Sequence, residues 1–211
     1  MSQRIWAARL IVNSKYILCE FVVILTLVSF CGYECFAWGN KYEESSNYRA
    51  ALAALDKDDI NSGYDYLKKE IAIHPDNGYA YLYLSTVLYE YADYHSALKT
   101  INASLTYLPD NDRVTRAKAF LLRSKTERVL KMWNVAMSDL NEALSLCPKD
   151  IDILQERADL YHILGEYDQS DADYRRILGI HPGYAYAEMG MGAIMSAEDV
   201  IVKLLINSTE S

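Results

Sequence analysis

The chain reads as an all-α stack of helical hairpins, and three observations carry that expectation. Helix breakers are scarce: 211 residues contain 9 glycines and 4 prolines, a composition that excludes collagen-like and Pro/Gly-rich chains. The prolines are regularly placed, with Pro75, Pro109, Pro148 and Pro182 separated by 34, 39 and 34 residues, which marks an internal repeat. Small residues also recur twelve apart ahead of each proline: Ala51 and Gly63, Ser85 and Ala97, Ser124 and Ala136, Ala158 and Ser170. Antiparallel helices approach to about 8 Å only where the side chains at the crossing are small. Each unit is therefore expected to be a tight helical hairpin.

Composition narrows the function classes. With 51% apolar and 24% charged residues the chain can bury a core and is not disordered. Its 21 basic and 29 acidic side chains give a net charge of −8, which argues against nucleic acid as a partner because phosphate binding needs a basic face. Four cysteines are too few for a disulfide-dense scaffold. The 18 tyrosines are an excess that asks for a structural reason.

The first element, residues 1–37, is expected to be a signal peptide or an N-terminal membrane anchor. Arg4, Arg9 and Lys15 precede the apolar run from Phe21 to Phe30, and Cys35 and Ala37 flank Phe36, the order of a positive segment, an apolar segment and a small-residue cleavage site. Only 13 residues between Glu20 and Glu34 are free of charge, short of the ~20 that a spanning helix needs. Cleavage after Ala37 and export to the periplasm or envelope is the favoured expectation. Membrane attachment through residues 16–33, with the basic side chains held on the cytoplasmic side, is the alternative. Residues 38–43 read as a linker.

The hairpins follow in order. Each proline closes an apolar amphipathic stretch, as in Ile71-Ala-Ile-His-Pro75, Leu105-Thr-Tyr-Leu-Pro109, Leu144-Ser-Leu-Cys-Pro148 and Leu178-Gly-Ile-His-Pro182, and proline cannot continue a helix. Tyr81, Leu84, Leu88 and Tyr91, then Ala97, Leu98, Ile101 and Leu105, recur at spacings of three and four, the helical period. His74 and His181 share the place before the proline and read as helix-end residues near terminal carbonyls.

Residues 151–184, with Leu154, Ala158, Tyr161, Gly165, Tyr167, Ser170, Tyr174 and Pro182 in matching places, resemble the tetratricopeptide repeat (TPR). The resemblance implies a right-handed α-solenoid of about four repeats, 44–77, 78–109, 110–150 and 151–184, followed by a partial repeat or capping helices over 185–211. The third unit departs from the pattern. It carries five extra residues, expected to lengthen its first helix through Asp112–Arg116, and Glu127 stands where the family prefers an apolar residue. Arg123 and Lys131, four residues to either side on the same helix face, suggest a local ion cluster around it. Beyond Pro182, Tyr184–Ser196 reads as another first helix with Gly192 at the small position, and Ala197–Leu205 as a short cap.

No nucleophile elbow, phosphate-binding glycine loop or zinc-protease helix is present, so no catalytic, cofactor or metal site is assigned. What the resemblance implies is a concave groove lined by the first helix of each unit. Its residues would be Tyr79, Leu82, Thr86 and Tyr89, then Lys118, Leu121, Lys125 and Arg128, then Asp152, Gln155, Asp159 and His162. Lys118, Lys125 and Arg128 form one basic stripe, facing Asp152 and Asp159. The expected function is a non-catalytic scaffold of the cell envelope that holds an extended peptide or partner protein in this groove. The alternatives are an accessory or truncated part of a larger enzyme or signalling protein, and a module that self-associates through its incomplete C-terminal end.

Overall fold

A computed structural model describes residues 41–194. The expected leader and the capping stretch 197–205 lie outside the described residues. The chain divides into two units, one ending at Ser45 and one beginning at Ser46. In the first, residues 41–44 form a turn.

Among the described residues the second unit holds eight complete helices: α1 (Ser46–Leu55), α2 (Ile60–Ile73), α3 (Gly78–Glu90), α4 (Tyr94–Tyr107), α5 (Arg113–Val129), α6 (Trp133–Leu146), α7 (Ile151–Leu164) and α8 (Tyr167–Ile180). Residues 185–194 are again helical. There is no strand among the described residues. Each odd-numbered helix packs most extensively against the helix that follows it, and α2, α4 and α6 also pack, less extensively, against the first helix of the next hairpin. This is the expected solenoid order.

The turns inside the hairpins repeat one backbone device. Asp58, Ala92, Lys131 and Gly165 sit at the same place in successive units, and all four have positive φ, between 58° and 78°. The next residue's N–H then reaches back to the helix: Asp59 to the carbonyl of Ala54, Asp93 to Leu88, Met132 to Glu127 and Glu166 to Tyr161, at 2.8–2.9 Å. That bond satisfies terminal carbonyls that would otherwise be orphaned. Only Gly165 adopts the left-handed region without a steric penalty.

The eight small residues predicted at the crossings are all buried. A Cβ at Gly63 would lie 2.5 Å from Leu55 Cδ2, so glycine is needed for α1 and α2 to close. Gly78 does the same between hairpin partners: a Cβ there would meet the Leu108 backbone nitrogen at 2.6 Å, while Ser104 Oγ donates to the Gly78 carbonyl at 2.8 Å. The apolar core forms two clusters. One joins Tyr48, Ala51, Leu67, Leu84, Leu88 and Ala97 of the first two hairpins. The other joins Leu140, Leu144, Ile153, Leu154, Leu160 and Ile177 of the last two, extending to Ala187 and Ile194.

The five extra residues of the third unit go mainly into α5, which has 17 residues against 13 in α3. Their arginines close helix ends. Arg113 donates to the Ser145 and Leu146 carbonyls at 3.1 Å, and Arg116 to those of Leu105 and Leu108. Cations at C-terminal carbonyls also complement the helix dipole. Much of the tyrosine excess pairs ring to ring in the first two hairpins, as Tyr48 with Tyr83, Tyr81 with Tyr107 and Tyr89 with Tyr94. In the helical stretch 185–194 a tight approach falls on Gly190, where a Cβ would collide with the Tyr174 ring; the expected partner of Gly192, residues 197–205, lies outside the described residues.

Candidate functional site

The odd-numbered helices form one layer, because α5 packs directly on both α3 and α7. Their N-termini are set by side-chain caps: Asn77 accepts from the Ala80 N–H, Asp112 from Thr115 and Asp150 from Asp152 and Ile153. These caps fix where each helix begins, and so the register in which successive helices present their outer residues.

Along α3, Tyr79, Leu82 and Tyr89 are half-buried and Thr86 is exposed. The Tyr79 hydroxyl donates to Asp112 Oδ2 at 2.9 Å, which ties the start of α3 to the start of α5. On α5, Lys118 is exposed, Leu121 and Lys125 are half-buried, and neither lysine enters an ion pair within 4 Å among the described residues. Arg128 differs from its place in the expected stripe. Its Nε pairs with the buried Glu156 of α7, a carboxylate the sequence reading missed, so Arg128 is an inter-helix tie and the basic surface reduces to Lys118 and Lys125.

On α7, Asp152 is exposed. Gln155 Oε1 accepts from the Tyr184 hydroxyl at 3.0 Å. Asp159 faces tyrosines: its Oδ1 accepts from Tyr174 at 2.6 Å and its Oδ2 from Tyr186 at 2.8 Å. Burial, and then the bond to Asp159, push the Tyr186 hydroxyl up to about 12 and that of Tyr174 higher still, so both hydroxyls keep their protons and donate. The His162 ring lies 5.3 Å from that of Tyr167.

His162, Tyr174, Tyr186, Met189, Gly190 and Ala193 line a shallow hollow of about 240 Å³. Sequence reasoning named only His162 among them as a groove residue, and Tyr174 only as part of the repeat pattern. A signal was present: Tyr186, Met189 and Ala193 stand 34 residues after Asp152, Gln155 and Asp159, continuing the outward-facing positions of α7 into the next first helix. Tyr174 comes from α8, a layer below, and no periodicity of the outer face points to it.

Beneath this face the last two hairpins carry matching ionic clamps. Arg123 of α5 holds Asp139 of α6 through two bonds, at 2.5 and 2.8 Å, and reaches Asn102 of α4 at 2.8 Å. Arg157 of α7 repeats the pattern with Asp173 of α8 at 2.7 and 2.8 Å and Asn141 of α6 at 2.8 Å. Each arginine therefore joins its own hairpin to the preceding one. Glu127 sits beside the first clamp, 3.9 Å from Arg123 Nε, with Oε2 buried and without a hydrogen-bond partner. The expected contribution of Lys131 is absent: it is exposed and in no ion pair among the described residues. Burial first, and then the Asp139 carboxylate, push the Glu127 carboxyl up to about 7, with Arg123 opposing.

Among the described residues no group of three or more His, Cys, Asp and Glu side chains could hold a metal ion. No described helix is long and apolar enough to cross a membrane.

No protein-family profile matches the chain, and no curated protein is similar to it in sequence. Similarity appears in three dimensions. MamA from Desulfovibrio magneticus RS-1, residues 41 to its end, superposes with a TM-score of 0.65 at 13% identity, over 78% of this chain and 90% of that one. YrrB, described as a TPR protein with an unusual peptide-binding site, superposes at 0.62 and 16% identity, over 76% and 80%. A tetratricopeptide repeat protein from Parabacteroides merdae superposes at 0.62 and 22% identity, over 82% and 68%. At these identities the likeness speaks for the fold alone: an all-α solenoid of tetratricopeptide-type hairpins.

Proposed function

We propose that this protein is a non-catalytic interaction scaffold that holds an extended segment of a partner protein against the face formed by α3, α5, α7 and residues 185–194. The observation that carries the reading is the make-up of that face. Half-buried aromatic and apolar groups, Leu82, Tyr89 and Leu121, lie beside the unpaired Lys118 and Lys125, a mixture of rigid contact area and steering charge. A neighbour in fold, YrrB, is described as having a peptide-binding site. The charge and length profile of residues 1–37 supports export to the envelope.

The test is capture from an envelope extract by the tagged full chain, alongside Leu82→Glu and Lys125→Glu variants. A specific partner retained by the parent and lost from both variants is the expected result. Equal retention by all three would move recognition off this face. Amino-terminal sequencing of the protein from the producing cell addresses export: intact Met1 in a soluble cytoplasmic fraction would overturn that half of the reading.

A further inference from the structure

We propose that the hollow between α7 and residues 185–194 is a receptor for a single cationic side chain, a lysine or arginine carried by the bound segment. The inference rests on the groove reading above and adds to it the identity of one anchor. Size comes first. At about 240 Å³ the hollow falls below the ~300–1,000 Å³ of small-molecule and cofactor sites, but it suits one long side chain. The lining comes second: His162, Tyr174 and Tyr186 supply aromatic groups, and Met189 and Ala193 supply apolar walls on which the methylene stem of such a side chain can lie.

Charge decides between an apolar and a cationic occupant. The Asp159 carboxylate receives the hydroxyls of both Tyr174 and Tyr186, so a negative charge is anchored at the hydroxyl ends of the two rings that line the hollow. Tyr186 senses two carboxylates, Asp159 and Glu156, against one guanidinium, Arg128, and that guanidinium is already committed to Glu156. One negative charge is left over at an aromatic, partly desolvated surface, the environment in which cation–π attraction is strongest. Gly190 contributes by omission: any side chain there would collide with the Tyr174 ring and displace it from Asp159. Met189 and Tyr186 are 70% and 42% exposed, so the hollow is open to an incoming group. Combined with Lys118 and Lys125 on α5, this sets a charge order for the segment, acidic over α5 and basic over the hollow.

The test uses the full chain labelled with [ε-¹³C]methionine, whose Met189 methyl signal, assigned with a Met189→Leu variant, reports directly from the hollow. The probes are the N-acetyl methylamides of lysine, arginine and norleucine, the last an uncharged analogue of the lysine stem. Lysine and arginine probes should shift the Met189 signal saturably, binding roughly tenfold more tightly than norleucine, and added salt should weaken them. Asp159→Asn should erase that preference. Ala193→Lys, at an exposed helical position, should block the hollow with its own ammonium while leaving the circular dichroism spectrum unchanged. Equal binding of norleucine, no saturable shift with any probe, or an unaltered preference in Asp159→Asn would each overturn the proposal. These failures are separable from failure of the groove reading, because the partner's dependence on Leu82 and Lys125 is measured on other helices.

Discussion

Counting 25 and 9 residues back from each proline compares the two halves of the array position by position. The first hairpin has Ala50 and Tyr66 there, the second Leu84 and Thr100; the third has Arg123 and Asp139, the fourth Arg157 and Asp173. Uncharged residues in the front half are thus replaced by a nearly buried ion pair in the back half, with Asp139 and Asp173 side chains only 6% and 3% exposed. The caps differ too. In the front half α2 and α4 start with Asp59 and Asp93, which accept from the N–H groups of Ser62 and Ser96. Their counterparts, α6 and α8, start at Met132 and Glu166 without a side-chain cap. One fold is therefore held by local caps and apolar contact at one end, and by long-range ionic clamps at the other. Repeat arrays allow this because each unit needs only to match its neighbours.

The largest effect that could break this comparison is at the clamp of the fourth hairpin. Asp173→Ala strands the Arg157 guanidinium and should cost about 3–5 kcal/mol, the usual penalty for leaving one charge of a buried pair. The double change Arg157→Leu with Asp173→Thr, which copies Leu84 and Thr100, should recover most of that loss, since apolar replacement of a buried pair is often neutral. Urea denaturation of the three proteins measures both. A cost below about 1 kcal/mol for Asp173→Ala would place the clamp among weak surface pairs.

Next in size is the pH dependence at Glu127, which stands where the fourth hairpin has Tyr161 under the Arg157 guanidinium. The folded pKa of about 7 lies above the model-peptide value of 4.5, so between those values the folded protein holds a proton that the unfolded chain has released. Its stabilisation is complete below pH 4.5 and declines as pH rises through 7. Glu127→Gln, a neutral analogue, should be roughly 2 kcal/mol more stable than the parent at pH 8 and equal to it near pH 4.5. A pH-independent difference between the two would assign the effect to packing.

The hairpin turns offer a smaller contrast. Gly165→Ala should cost about 1–2 kcal/mol at its φ of 78°, whereas Ala92→Gly should gain up to about 1 kcal/mol by removing the same penalty. Thermal denaturation compares the pair, and a loss in both would mean that contacts of the Ala92 side chain outweigh backbone strain. Smallest are the caps. Asp93→Ala should cost about 1 kcal/mol and Glu166→Asp should gain about 0.5 kcal/mol, with hydrogen exchange in the first turns of α4 and α8 as the local readout.

The candidate face was readable in the sequence to the extent that it is periodic. Tyr79, Leu82, Lys118, Lys125 and Asp152 follow from the groove positions that the TPR resemblance implies, applied to each first helix. Arg128 and Asp159 occupy such positions too, yet their roles come from Glu156, Tyr174 and Tyr186, which lie 15–28 residues away in the chain. A long flexible side chain pairs with whichever opposite group the helix crossing brings within reach, and the sequence lists several for each.

The repeat, the helix ends and the crossings were decided locally: proline removes a backbone donor, and only small residues let helices close to contact distance. Those constraints act within one hairpin and hold whatever its neighbours do. The tie from Arg128 to Glu156, the reach of Arg123 and Arg157 to Asn102 and Asn141, and the hollow between α7 and residues 185–194 were decided by the stacking of hairpins. They depend on the angle and offset between neighbouring hairpins, which emerge from all the side chains at each interface at once and from no single stretch of residues.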